Sequence, residues 1–450
     1  MNLLTASHEE LVALIGQQQA LIDELQATNA ALEQRIRELE GGSGTTRRMP
    51  GHKPGPAAPP AAPGPRRPRT LTFARRRAIP SEHSIHAVEE CPTCRVLLAG
   101  GAVKRTREVI DLPLTPVVVT EHVYLERCCP QCGRRQTPAV DLEGVVVGQS
   151  RLGSGLVALI ATLREEARLP YRAIQRLLAS LYDLQLSVGG LRGAIGQVAR
   201  VAQPLLGQLQ QAIQTSPVVQ VDETGWREAG RNGYVWTAST PQECLFVHGG
   251  RDKGMLTRLL GDEPQGVLVS DFYAVYDGYP GLQQKCWAHL LRDIHELRVR
   301  PAADPAVSAW AQAVGRVYAQ AQDMVRTLAG EATETPRRQA ARRRLMADLL
   351  AVCQPYLEDE AAPQGVLCRR IAKQLDALFV FVLDPAVPAT NNAAERSLRH
   401  LVVSRKISGG TRSRDGTADK LALASVFTTW RLRGLNPYHA CRALLISPQL

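Results

Sequence analysis

The sequence predicts a multidomain α/β protein, and three observations predict it. Residues 216–297 read as three short apolar strands followed by helix, strand, helix and strand. Two Cys-Pro-x-Cys pairs precede that segment. An apolar repeat of period 3.5 opens the chain. A length of 450 residues accommodates about three domains.

The opening segment, over 8–40, is expected to form a leucine-zipper-like coiled coil. Ile15, Ile22, Asn29 and Ile36 fall at position a, and Leu11, Gln18, Leu25, Leu32 and Leu39 at position d. Ile at a with Leu at d favours a parallel pair, and one Asn at a fixes register. This predicts a homodimer or higher assembly; an amphipathic helix packed on its own chain is the alternative. Residues 41–80 form a Pro/Ala-rich linker. Up to Arg77 it carries nine Lys and Arg residues and no acidic one, most of the formal net charge of +11. Such an arm binds polyanions through counterion release. No apolar run reaches the length of a membrane span, and the first ten residues do not read as a secretory signal. A cytoplasmic, nucleoid-associated bacterial protein is expected.

A zinc-ribbon-like domain is expected over 81–145. Cys91-Pro-Thr-Cys94 and Cys129-Pro-Gln-Cys132 are two short turns that aim four soft ligands at one structural Zn²⁺. The repeated pattern favours Cys129 over adjacent Cys128. Residues 117–120 and 122–125 look extended. Ten cysteines in a chain of this size, four of them paired this way, suit a reducing compartment.

Residues 150–215 read as helices. Pro170 opens one and Ser187 caps another, in an arrangement like a helix-turn-helix; a plain bundle fits equally well. The strand-rich region over 216–430 follows, interrupted by a basic, all-helical block over about 298–385. Residues 431–450 form a C-terminal segment. Three strands that meander, then helix, strand, helix, strand is the order of a ribonuclease-H-like domain.

In that sheet the strands ending at Val221 and Ser270 lie side by side, so Asp222 and Asp271 meet at their C-terminal ends. Crowded carboxylates repel one another, and two Mg²⁺ (or Mn²⁺) ions relieve this. Glu395, in the first turn of a helix opened by Thr390-Asn391-Asn392, supplies a third carboxylate. Singly these are weak signals. A strand-end Asp is more often a turn former, and a first-turn Glu often only complements the helix dipole. Joint placement raises them, with Glu223 a competitor for the first position. Arg396, Arg399, Arg405, Lys406, Arg412 and Arg414 form a basic set that would hold DNA phosphates. Gly409-Gly410-Thr411 is a weak sign of backbone approach to phosphate. Cys286 is read as strand core, with His289 near the site.

Four stretches together resemble the DDE transposases of the insertion sequence 66 family: Val221-Asp222-Glu223-Thr224-Gly225-Trp226, Val269-Ser270-Asp271-Phe272-Tyr273, Cys286-Trp287-Ala288-His289 and Asn391-Asn392-Ala393-Ala394-Glu395-Arg396. The resemblance implies a metal-binding triad of Asp222, Asp271 and Glu395, and a helical insertion before the Glu. It also implies double-stranded transposon-end and target DNA as partner, and accessory proteins of the same element. A zinc-containing DNA-binding regulator and a nuclease that cuts without joining are the alternatives.

Overall fold

The computed structural model describes residues 79–110, 116–139, 141–300 and 304–447, together with Gln19. The expected coiled coil and linker otherwise lie outside the described residues. The chain divides at Asp111 into two compact units.

In the first unit the turn at Cys91 closes through Arg95 N–H donating to Cys91 O (2.9 Å) and Cys91 N–H to Val96 O (2.9 Å). The second unit repeats it. Gly133 N–H donates to Cys129 O (2.9 Å) and Cys129 N–H to Arg134 O (2.8 Å). The residue after the second cysteine is left-handed in both turns, Arg95 at φ 61° and Gly133 at φ 67°. A small hairpin, β1 (Arg127–Cys128) with β2 (Arg135–Gln136), flanks the second turn. Residues 117–120 and 122–125, expected to be extended, pair with no strand. Val118, Val119 and Val123 are exposed, so no packing face stabilises a ladder there.

Four helices follow: α1 (Ser154–Glu165), α2 (Tyr171–Tyr182), α3 (Val188–Val201) and α4 (Gln203–Gln214). Pro170 stands at the N-cap of α2, and the Ser187 hydroxyl caps α3 by accepting Gly190 N–H (3.0 Å). Their apolar faces meet the two last helices of the chain, α12 (Arg414–Leu432) and α13 (Pro437–Ile446). Val157, Ile160, Leu191 and Val198 pack in one cluster with Phe427, Trp430, Leu444 and Leu445. Lys420 of α12 reaches into this bundle, its ammonium 2.8 and 2.7 Å from the two carboxylate oxygens of Glu165.

Five strands form a mixed sheet: β3 (Val218–Glu228), β4 (Arg231–Ser239), β5 (Cys244–Gly249), β6 (Val267–Ser270) and β7 (Gln283–Lys285). Their order is β5-β4-β3-β6-β7. The first three are antiparallel, and β6 and β7 run parallel to β3. Helix α5 (Gly254–Leu260) joins β5 to β6 and covers one face, packing Leu256 and Leu259 on Val219, Val221 and Trp236. The opposite face takes α6 (Trp287–Arg298) and the helical block of α7 (Pro305–Thr327), α8 (Pro336–Cys353), α9 (Gly365–Lys373) and the short α10 (Val380–Leu383). Within that block Arg338 is fully buried and donates to the carbonyls of Ala332, Val382, Leu328 and Glu331. It braces a loop, unlike the solvated cation its Arg-rich context suggests.

Helix α11 (Asn392–Ser408) lies across β3 and β4, and α12 lies along β5. The backbone N–H of Cys244 donates to Thr429 Oγ1 (3.1 Å) and that of Phe246 to Ser425 Oγ (2.9 Å). Between α11 and α12 the chain crosses β3. Thr411 N–H donates to Arg227 O and Ala229 N–H to Thr411 O, both at 2.9 Å. Gly410 therefore serves a close backbone-to-backbone contact with β3. Its φ is 105°, and an added Cβ would stand 2.2 Å from Arg227 O. Gly410→Ala is expected to cost on the order of 3 kcal/mol, from strain plus the clash. Gly409→Ala, at φ 70° with nothing within 4 Å, is expected to cost about 1 kcal/mol. Urea unfolding midpoints of the two variants check the contrast.

Candidate active site

The alternation of side chains along β3 decides which residues meet. Val218, Gln220, Asp222, Thr224 and Trp226 share one face, because side chains repeat every two residues. Each meets a different neighbour on that side. Val218 joins the core of the helical block, and Gln220 Oε1 accepts Ala393 N–H at the start of α11 (3.2 Å). Thr224 Oγ1 accepts from Arg405 of α11 (3.3 Å), and Trp226 packs with Leu398 and Leu401. Asp222 stands at the middle of the row.

The parallel register brings Asp271 to the same place. Gln220 pairs with Val269, so two residues further on Asp222 stands level with Asp271, on the same face. Ser270 pairs with Lys285, which sets Cys286 beside Asp271. Three neighbouring strands thus carry Asp222, within β3, and Asp271 and Cys286, just past the ends of β6 and β7, toward one side. The sequence reading ended the first strand at Val221. The strand in fact continues to Glu228, so Asp222 lies inside it, just past the last parallel pair. The half-polar run Asp222–Gly225 hides that continuation, since it alternates without being apolar.

Odd-numbered Glu223 points to the other face. Arg251 donates to its Oε1 from Nη2 (2.7 Å) and Nε (3.0 Å), and Tyr276 donates to Oε2 (2.5 Å). Glu223 is thereby occupied as a buried structural carboxylate, and the competitor for the first position is turned away from Asp271.

Glu395 enters from above, in the first turn of α11. Asn391 sets its place. The expected N-cap residue does not cap its own helix: its side chain accepts no cap bond, and Nδ2 donates to Val221 O (2.9 Å). A helix N-terminus is thus tied to the strand residue preceding Asp222. The backbone N–H of Asn391 donates to Cys286 Sγ (3.1 Å), which fixes the same residue to the end of β7. Asn391→Ala would orphan a buried carbonyl and is expected to cost about 1–3 kcal/mol. Urea unfolding midpoints of Asn391→Ala and the natural protein check this.

The electrostatics follow from this crowding. Burial, with the nearby charges of Glu223, Asp271 and Glu395, pushes the Asp222 carboxyl up to about 8. Glu395 Oε1 is buried with no hydrogen-bond partner and lies 3.5 Å from His289 Nε2. His289 is raised to about 9, first by Cys286 beside it and further by the charges of Glu395 and Asp271. Lys285 is fully buried behind the site, its ammonium 3.6 Å from Asp277. Its pKa is depressed by burial, against the pull of Asp277 and Asp271. A partly buried carboxyl held neutral by its neighbours, and an orphan carboxylate oxygen beside it, fit a hard divalent cation.

Cys286, read from sequence as strand core, is fully buried but stands at the N-cap of α6, facing His289 and Glu395. The Cys-x-x-His spacing at a helix start was the available signal; the third partner lies on a distant helix. The basic set spreads over several places. Arg396, Arg399 and Lys406 are exposed on α11, and Arg412 and Arg414 are exposed at the start of α12. Arg405 is half-buried against β3.

At the Cys-x-x-Cys turns, backbone N–H groups face the first sulfur of each. Cys91 is lowered to about 7 by the backbone N–H groups of Cys94 and Thr93, and Cys129 is lowered by those of Cys132 and Gln131. The Cys128 thiol instead donates to Gly133 O (3.4 Å), apart from this pattern. Among the described residues, no helix is long and apolar enough to cross a membrane.

Two comparisons with known proteins bear on identity. The chain is similar to the uncharacterized protein y4jO of Sinorhizobium fredii (strain NBRC 101917 / NGR234), 29% identical over 182 residues. That alignment covers 40% of this chain and 52% of the relative, so the chain spans about half the length of the curated relative it matches. Residues 149–419, more than half of the chain, match the family described as Transposase IS66 family. They run from just before α1 into α12 and take in the whole sheet with Asp222, Asp271 and Glu395, and the chain belongs to the IS66 family of transposases.

Proposed function

We propose that this chain is a DNA transposase of the DDE type, with Asp222, Asp271 and Glu395 as its metal-binding carboxylates on a ribonuclease-H-like sheet. One observation carries the reading: the parallel register of β3 and β6 sets the two Asp side chains on one face, beneath the first turn of α11. The strand order and directions support the ribonuclease-H-like assignment. Two Mg²⁺ or Mn²⁺ ions, when bound, would activate a water or a DNA 3′-hydroxyl and neutralise the departing phosphodiester oxygen. The protein's part is to hold three carboxylates at one point and to keep Glu223 out of it. Asn391 and Gln220 position Glu395. Arg396, Arg399, Lys406, Arg412 and Arg414, exposed on and after α11, would hold the DNA backbone, with Arg405 tying α11 to β3. No covalent protein–DNA intermediate is required, so no Ser or Tyr nucleophile is assigned.

Recognition of terminal inverted repeats is assigned to the zinc domain and α2–α3. Cys91, Cys94, Cys129 and Cys132 would hold one structural Zn²⁺, and the lowered thiols of Cys91 and Cys129 suit thiolate ligation. A groove of about 650 Å³ runs beside α3, lined by Arg151, Arg192 and Arg200 together with Asp415 and Asp419, with Gly190, Gly193 and Gly196 on its floor. The arginines would meet a phosphate backbone there, and the two aspartates limit the excess of positive charge. The N-terminal segment would pair protomers so that two element ends are handled together.

The test is strand transfer. Purified protein, labelled element-end DNA, supercoiled target plasmid and Mg²⁺ or Mn²⁺ are incubated, with Asp271→Ala as control. Joined product from the natural protein alone supports the assignment. Nicking without joining would favour the nuclease reading. End binding with no cleavage in either metal would favour the regulator.

A further inference from the structure

The geometry points to a second metal site, in which Cys286, His289 and Glu395 bind a thiophilic divalent cation such as Zn²⁺ and draw Glu395 away from the catalytic carboxylates. The inhibitory part rests on the catalytic role proposed for Glu395; the site itself does not. One ligand atom from each of the three residues lies within 4.8 Å of the others. Cys286 stands at the N-cap position of α6 and His289 follows three residues later, a spacing that puts both on one face of the helix.

Two further features point to a ligand there. Cys286 Sγ accepts the backbone N–H of Asn391 at 3.1 Å, as backbone N–H groups face the sulfurs of Cys91 and Cys129. On the other side of the cluster, His289 Nδ1 and Glu395 Oε1 are buried without hydrogen-bond partners. Sulfur, imidazole nitrogen and carboxylate oxygen, with a fourth position left to water, make a ligand set for Zn²⁺. Mg²⁺ takes oxygen ligands and would not use Cys286. Binding releases the Cys286 thiol proton to solvent and occupies the carboxylate oxygen that faces His289. Zn²⁺ and the catalytic cations therefore compete for Glu395.

The experiment titrates Co²⁺ into the metal-free full chain and reads the thiolate charge-transfer absorption. The natural protein is expected to take one equivalent more than Cys286→Ser or His289→Ala. Glu395→Gln should hold that equivalent roughly 10–100-fold more weakly. Cysteines elsewhere are the same in all four proteins, so their uptake cancels. His289 is partly exposed, and an unchanged metal-free Tm for His289→Ala keeps the comparison sound if Cys286→Ser folds poorly. Equal uptake by the natural protein and both variants would overturn the site. The second arm adds Zn²⁺ to Mg²⁺-dependent cleavage, and the natural protein is expected to lose at least tenfold more activity than Cys286→Ser, each against its own Zn²⁺-free rate. An extra equivalent with equal inhibition of both would overturn the competition for Glu395. An extra equivalent in a protein with no Mg²⁺-dependent cleavage would uphold the metal site and overturn the catalytic reading.

Discussion

Asp222→Asn is expected to abolish strand cleavage and, without metal, to make the protein more stable. The two effects have one cause. Asp222 sits where burial and the charges of Glu223, Asp271 and Glu395 raise its folded-state pKa to about 8. An acid whose folded pKa exceeds its unfolded one destabilises the fold as pH rises through that window. The full stability is present below about pH 4, and it falls until about pH 8. At about 1.4 kcal/mol per pH unit the loss is on the order of 5 kcal/mol. Asparagine keeps the shape and removes the charge, and is expected to recover about 2–3 kcal/mol of this near pH 8. On the proposed reading the same change also deletes a metal ligand worth several kcal/mol in the transition state, and cleavage is expected to fall about 1000-fold or more. Thermal unfolding at pH 5 and pH 8, with and without Mg²⁺, reads both sides. Mg²⁺ is expected to raise the Tm of the natural protein at pH 8 and to leave Asp222→Asn unmoved. A variant less stable than the natural protein at pH 8 would contradict the electrostatic account.

Lys420→Met is expected to cost about 3–5 kcal/mol, the largest stability loss of any single exchange considered, because it strands the buried Glu165 carboxylate. The ammonium and the carboxylate have side chains only 5% and 2% exposed. Burial lowers the Lys420 pKa, and Glu165 counters it by charge and hydrogen bond. The pair joins α1 to α12, through residues 255 positions apart in the chain. Replacing both, as Glu165→Leu with Lys420→Met, removes two desolvated charges at once. That double variant is expected to match the natural protein or exceed it by about 1–4 kcal/mol. Urea midpoints at constant m-value measure the cycle. A double variant as unstable as the single one would show that packing, and not charge, holds this contact.

Much of the fold is legible from local pattern. Alternation gives the strands, and Pro170 and Ser187 give two helix starts. What local pattern leaves out is what another element imposes. Gln220, Asp222 and Thr224 are polar because α11 faces them, so β3 looks four residues long until that helix is in place. Asn391 looks like a cap because nothing nearby shows its amide reaching Val221. Cys286 looks like core because its partners stand one helical turn ahead and on a late helix. The positions of Asp222 and Asp271 are readable from strand order, whereas the exclusion of Glu223 depends on Arg251 and Tyr276 across the sheet. The association of α13 with α1 is carried by apolar residues far apart in the chain, which periodicity does not pair.

The hydroxyls of Ser425 and Thr429 have a consequence for how copies of this protein can associate. An outermost strand normally offers its row of N–H groups to any passing extended chain, the usual route to aggregation and to strand exchange between subunits. Here two N–H groups of β5 are already spent on a helix of the same chain, one helical turn apart. Growth of the sheet at that border is closed before a second copy arrives. An extended segment from another copy would have to displace the hydroxyls of Ser425 and Thr429 before it could pair at those two positions.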